Sequence, residues 1–154
     1  MVNYTWIEDD VSPSIPIKQV YGIVFSDDNK ILLRVEDNKY KLTGGKPEKN
    51  ETFQETLKRE YLEELNVEID EIFYLGYLLV KEKNISEYAQ VRMIAKVKKI
   101  NEQRPDIDNG KIYGREFVDV NDVKKYLNYS DKAGNLMLDS AIEKASKLYK
   151  IISV

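Results

Sequence analysis

Gly44-Gly45-Lys46-Pro47-Glu48-Lys49-Asn50-Glu51-Thr52-Phe53-Gln54-Glu55-Thr56-Leu57-Lys58-Arg59-Glu60-Tyr61-Leu62-Glu63-Glu64-Leu65-Asn66-Val67 is the stretch that decides the fold. It opens with a glycine-rich turn and passes into one amphipathic helix. Thr52 is a good N-cap, and Glu55 follows three residues later, which makes a capping box. Asn66 follows the last helical turn and suits a left-handed C-terminal cap. At about 100° per residue, Leu57, Tyr61, Leu62 and Leu65 share one arc. Glu60, Glu63 and Glu64, at i, i+3 and i+4, share the neighbouring arc. Each close like-charge pair on such a stripe costs on the order of 1 kcal/mol near a surface. A divalent cation is the natural offset, and carboxylate oxygens suit Mg²⁺, Mn²⁺ or Ca²⁺. Arg59 interrupts the acidic series and can pair with Glu51 or Glu55. A Glu-rich helix alone is usually a solvated face, so the weight rests on the whole constellation.

Bulk properties narrow the chemistry. The 154 residues suit one domain, taken as 1–154, with enough chain for a real core. There are 24 basic and 27 acidic side chains and a net charge of −3, which argues against stable binding of nucleic acid or an anionic membrane. The absence of Cys excludes disulfides, thiolate catalysis and zinc–sulfur sites. The absence of His removes the commonest general base and transition-metal ligand. Catalysis must then use carboxylates, Lys, Arg, Tyr, hydroxyls or an oxygen-bound metal. The amino terminus lacks the features of a signal peptide, and no run of residues is apolar enough to span a bilayer, so a cytoplasmic location is expected.

In chain order, residues 1–16 carry Trp6, an acidic patch, Pro13 and Pro16, and read as an irregular arm or a short edge strand. Trp6 is expected to pack on the core. Lys18 to Phe25 and Ile31 to Val35 read as a hairpin around Asp27–Lys30, and Tyr40 to Leu42 as the strand leading into the helix. Val67 to Leu79 is a strand with a bend or bulge at Gly76. Glu82 to Glu87 is a polar connection. Tyr88 to Ile100 is a long strand, with Val91, Met93, Ala95 and Val97 on one face and Arg92, Lys96 and Lys98 on the other. Asn101 to Arg115 is a loop. Its Asp106-Ile107-Asp108-Asn109-Gly110 run invites a calcium-loop reading, which fails because Gly falls one place early and Phe117 stands where the bidentate Glu belongs. It reads as a surface turn. Glu116 to Val120 is a last strand, and Asn121 can cap a helix through Leu127. Asp131 or Ala133 starts a final helix to about Lys150, buried along Leu138, Ala141, Ile142, Ala145 and Leu148. Strands, helix, strands, helices fit an α+β chain: a mixed sheet with helices on both faces.

The spacing Gly45-x5-Glu51-x7-Arg59-Glu60-Tyr61-x-Glu63-Glu64-x-Asn66-Val67 resembles the Nudix box, G-x5-E-x7-R-E-U-x-E-E-x-G-U with U aliphatic. It covers residues 45–67. Tyr61 and Asn66 depart from it, and neither position carries chemistry. Residues 40–45 also look like the strand that often leads into the box, although Thr43 replaces a common Pro. The resemblance implies the Nudix fold, an α/β/α sandwich. It implies hydrolysis of a diphosphate bond in a nucleoside diphosphate linked to another group, with Mg²⁺ or Mn²⁺. Glu60, Glu63 and Glu64, with the carbonyl of Gly45, match the family's metal ligands. Arg59 and Glu51 match the pair that orients loop and helix. Glu51, Arg59, Glu60 and Glu63 form the expected catalytic set, with Glu60 also ordering or deprotonating water. The family's general base varies; Glu102 and Glu116 are candidates outside the box. A slot for the base can draw on Tyr21, Phe25, Tyr40, Tyr88 and Trp6, and Arg34 and Arg92 can contact phosphates, although ordinary sheet-surface charges explain both equally well. A Pro about 16 residues past the box marks many ADP-ribose hydrolases, and Lys83 stands there. A Tyr at 17 or 18 past marks many dinucleoside-polyphosphate hydrolases, and Asn84 and Ile85 stand there. Elimination favours a nucleoside triphosphate or modified nucleotide. The alternatives are an ADP-ribose or nucleotide-sugar pyrophosphatase, a catalytically silent nucleotide sensor, or a helical interaction domain whose acidic stripe meets a basic partner. Family members are often dimers, so a homodimer is one expectation.

Overall fold

A computed structural model describes residues 1–149. Eight strands and three helices follow the order β1 (Val2–Ile7), β2 (Ile17–Phe25), β3 (Lys30–Glu36), β4 (Lys39–Lys41), β5 (Thr43–Gly45), α1 (Phe53–Leu65), β6 (Val67–Glu82), β7 (Ile85–Ile100), β8 (Gly114–Asp119), α2 (Val123–Leu127) and α3 (Lys132–Leu148). The sheet runs β1-β6-β7-β2-β3-β4, with β5 on β2 and β8 on β3. It is mixed: β2 and β7 are parallel, the other pairs antiparallel.

One face of the sheet packs on α1 through Val20, Val24, Leu57, Tyr61, Leu65, Val91, Met93 and Ala95. The other packs on α3 through Ile23, Phe25, Ile94, Met137, Leu138, Ala141 and Ala145. This is the expected helix–sheet–helix sandwich. It works because β2 and β7 are apolar on both faces, as buried parallel strands are. Trp6 packs against the α3-side core, as expected.

Several expectations need correction. Of the two readings of residues 1–16, the short edge strand holds for Val2–Ile7, and the irregular arm does not hold there. Val2–Ile7 pairs with Glu82–Tyr77 as an edge strand, because the long β6 offers a free row of backbone partners. The Gly44-Gly45 segment is not a turn but strand β5 against β2. A β-carbon at Gly44 would lie 2.1 Å from the Val20 carbonyl oxygen, so only glycine allows that approach. The predicted β2–β3 hairpin is a contact of one pair, Phe25 with Ile31. Beyond it, β2 turns to β5 and β7, while β3 turns to β4 and β8. A cleft opens between them.

The polar connection after β6 shrinks to Lys83-Asn84, with Asn84 left-handed at φ 66°. A register shift falls between Tyr74 and Gly76, matching the expected bend or bulge. Asp122, not Asn121, holds the N-cap of α2, and the Asn121 amide donates to Asp119. In α3, Asp131 caps Gly134, Met137 joins the buried stripe, and Leu148 is exposed. Lys150 lies outside the described residues.

Candidate active site

The α1 N-terminus forms as read. Thr52 Oγ1 accepts from the Glu55 amide, and Glu55 accepts from the Thr52 amide. With Glu55 engaged there, Arg59 turns to Glu51. Its Nε and Nη2 bind the two Glu51 oxygens at 2.7 and 3.0 Å. Glu51 also accepts from the Glu48 amide and the Thr56 hydroxyl, each at 2.8 Å. Arg59 further donates to the Lys46 carbonyl at 3.1 Å. This two-pronged pair ties the loop 46–51 to the helix, a geometry specific to guanidinium and carboxylate. The Arg59 hydrogen bond holds the Glu51 carboxyl down at about 2.

Arg59 Nη1 reaches Glu60 Oε1 at 2.9 Å and Glu63 Oε2 at 3.3 Å. Glu60 lies against Gly45, where a β-carbon would stand 2.4 Å from its Oε1. Gly45, Glu51, Arg59, Glu60 and Glu63 thus converge where the end of β5 meets α1. Glu64 sits to one side and accepts from Arg34 Nη1 at 3.0 Å. All three stripe carboxyls are pushed above the usual range, first by burial and then by their acidic neighbours, and Glu64 reaches about 7.

Two of those neighbours come from the loop read as a surface turn. Asp106 acts on Glu60, Glu63 and Glu64, and Asp108 acts on Glu63. Asp106 is buried, and its side chain accepts from the Asp108 amide. The loop folds onto the box through Arg115, which donates to the carbonyls of Leu65 and Asn101, and through Asn66, which donates to the Glu102 carbonyl. No spacing rule could have revealed this contact. The abundance of Asp in so short a loop was its sole trace. The two outside candidates for general base fare less well. Strand alternation puts Glu116 on the face of Val118, toward α3 and away from the stripe. Glu102 is exposed, with its backbone at the C-terminal end of α1.

A cleft of about 680 Å³ lies where β2 and β3 part. Tyr21, Tyr40, Tyr126 and Tyr129 wall it, with Tyr40 and Tyr126 packed edge-on at 4.8 Å. Its charged lining is Arg34, Lys39, Lys41 and Arg92, with no carboxylate. The stripe glutamates do not line it; Arg34 belongs to both places. Of the expected slot residues, Tyr21 and Tyr40 face this cleft, whereas Phe25 is core, Tyr88 lies under Lys18, and Trp6 packs over Gly76. Arg92 is not a sheet-surface charge: it is buried. Tyr126, in α2, and Tyr129, in the link from α2 to α3, were missed because neither the short helix nor the link carries a sequence signal of where it packs.

The donor set is all oxygen, as Mg²⁺ or Mn²⁺ prefers. Glu64 Oε2, Arg34 Nε and Thr43 Oγ1 are buried without hydrogen-bond partners, which leaves polar capacity unused near the stripe. Among the described residues, no three carboxylates are close enough to cage a cation; Arg59 Nη1 bridges Glu60 and Glu63, and Arg34 engages Glu64. The residue types fit the ion, and the side chains must turn from the arginines to hold it.

The NUDIX domain family profile matches residues 16–137. Comparison with curated protein sequences gives no match. Among solved structures, the fold is similar to a mutant of the Bacillus subtilis pyrophosphohydrolase BsRppH, at TM-score 0.71 and 24% identity over 92% of this chain and 90% of that one. It is similar to a MutT from work on Aliivibrio salmonicida and Vibrio cholerae, at 0.58 and 18% over 81% and 94%. It is also similar to a NUDIX hydrolase from Nitrosomonas europaea, at 0.61 and 17% over 82% and 88%.

Proposed function

The chain belongs to the Nudix hydrolase family, and from that premise we propose that it hydrolyses a diphosphate bond in a nucleoside triphosphate or modified nucleotide with Mg²⁺ or Mn²⁺. The observation that carries the reading is the meeting of two unlike surfaces at Arg34. On one side, three box glutamates are joined by Asp106 and Asp108. On the other, a cleft of about 680 Å³ is lined by tyrosines and cations. That volume suits a nucleotide-sized ligand. Aromatic walls suit a base, and the cations suit its phosphates. The similar BsRppH is a pyrophosphohydrolase, which agrees in reaction type.

In this reading Glu60, Glu63, Glu64 and the Gly45 carbonyl would hold the ion, and Asp106 and Asp108 add charge from the loop. When bound, such an ion neutralises non-bridging phosphate oxygens and acidifies a water. The protein does the rest. Glu51 and Arg59 position the glutamates by fixing the loop to the helix. Arg34, freed from Glu64, becomes a cation for the phosphate chain at the mouth of the cleft. Glu60, beside Gly45, orders the attacking water and accepts its proton. The walls of the cleft orient the nucleoside so that the scissile bond lies over the stripe.

The test is a substrate panel of nucleoside triphosphates, oxidised nucleotides, ADP-ribose, nucleotide sugars and dinucleoside polyphosphates, run with Mg²⁺ and with Mn²⁺. Chelation should abolish turnover. Glu63→Gln or Glu64→Gln should lower kcat on the order of 100-fold or more, as loss of a group stabilising transition-state charge does. Full rate in either variant would remove that residue from the reaction.

A further inference from the structure

Arg92 is the buried cation of the cleft, and the reaction above gives it no role of its own. It sits on β7 between the 680 Å³ cleft and a second cavity of about 210 Å³, and it lines both. It is 5% exposed. None of the ion pairs found among the described residues includes it. A buried guanidinium normally has a carboxylate partner, because removing the charge from water is expensive. Here the partners are weak. Nε points at the Met137 sulfur at 3.1 Å, Nη1 at the Val91 carbonyl at 3.5 Å, and Nη2 at Gln90 Oε1 at 3.3 Å. The Tyr21 ring covers the guanidinium at 4.7 Å. Gln19 lies opposite Gln90 on the neighbouring strand, and its Oε1 is buried without a partner. Arg92 and Gln90 therefore put an under-partnered charge beside an amide at the β7 side of a cleft lined by no carboxylate, while the unpartnered Gln19 oxygen lies on the adjoining strand.

We propose that Arg92 is a specificity-determining residue, whose guanidinium donates a two-pronged hydrogen bond to a pair of adjacent acceptor atoms on the part of the substrate remote from the acidic stripe. The inference rests on the nucleotide reading above and deepens it. A nucleotide offers such a pair from two sources. One is the keto edge of guanine or hypoxanthine, where O6 and N7 accept together, whereas adenine puts an N6 donor beside N7. The other is two oxygens of a second phosphate, away from the bond that breaks. A good two-pronged contact discriminates by about tenfold or more. Lysine keeps the charge and lacks the fork.

The experiment is calorimetric binding without added metal, using GMP, IMP, AMP and the 3′,5′-bisphosphates of guanosine and adenosine. Wild type, Arg92→Met and Arg92→Lys are compared, with circular dichroism checking the fold. If the base supplies the acceptors, GMP and IMP bind about tenfold or more tighter than AMP, and the ratio falls toward one in both variants. If a second phosphate supplies them, both bisphosphates outbind their monophosphates by a similar factor, and that ratio falls instead. Equal affinity of all five ligands for wild type, including no measurable binding, overturns the proposal without any variant. A preference that survives in a folded Arg92→Met also overturns it. Should Arg92→Met fail to fold, Arg92→Lys decides: an unchanged ratio overturns the proposal, a collapsed one supports it. Absence of turnover in the metal-dependent assay sinks the hydrolytic reading and leaves this comparison intact.

Discussion

Glu51 shows how far one side chain can be committed. Each of its oxygens is held by Arg59, and backbone and hydroxyl donors complete the shell. Its carboxyl is depressed to about 2 against an unfolded value near 4.5. A depressed acid stabilises the fold above its unfolded pKa, and the contribution fades as pH falls toward the folded value. Glu51→Gln should therefore destabilise at pH 7 by on the order of 2 kcal/mol, and the gap to wild type should narrow between about pH 4.5 and 2. Urea midpoints across that range check it. A gap independent of pH would mean that shape rather than charge matters at Glu51. Arg92 is the opposite case at the same scale, a charge whose surroundings leave it under-partnered. Sequence marked Glu51 through its spacing from Arg59. It could not mark Arg92, because burial depends on what packs over a strand.

At the scale of elements, α1 was readable because its ends are written in local chemistry. The capping box forms, and Asn66 adopts φ 51° and ψ 47°. Thr52→Ala should cost about 1 kcal/mol by thermal or urea unfolding, since it removes the acceptor for the Glu55 amide. The loop from Asn101 to Tyr113 was not readable. Its Asp-rich turn looked like a solvated tip, yet Asp106 is buried beside the box. Arg115 and Asn66 carry it there, through contacts distant in sequence. If the loop adds to the cation site, Asp106→Asn should weaken Mn²⁺ binding by about 10–100-fold, the scale seen when a supporting carboxylate is lost. Titration calorimetry would read it directly. Unchanged affinity would return the loop to a structural role.

Across the whole molecule, two cores share one sheet, and the site depends on both. Leu57 is fully buried on the α1 side, and a β-carbon at Gly22 would stand 3.0 Å from its side chain. Leu57→Ala should cost about 2–5 kcal/mol, because so close a contact leaves a cavity that cannot easily refill. Chemical unfolding measures it, and a cost below about 1 kcal/mol would show that the helix settles onto the sheet. The other large-scale feature is the parting of β2 and β3, which a hairpin reading hid. Their apolar patterns and the turn between them predicted pairing, but each strand finds better partners elsewhere. Sequence alone determined the box, the helix with its caps, the alternation of elements and the exclusion of His and Cys chemistry, because those follow from residue type and near-neighbour spacing. Only the tertiary structure decided which carboxylates join the stripe, where the cleft opens and which arginine lies buried beneath it, because each of these is a meeting of segments far apart in the chain, and hydrophobic burial sets such meetings without leaving a local mark.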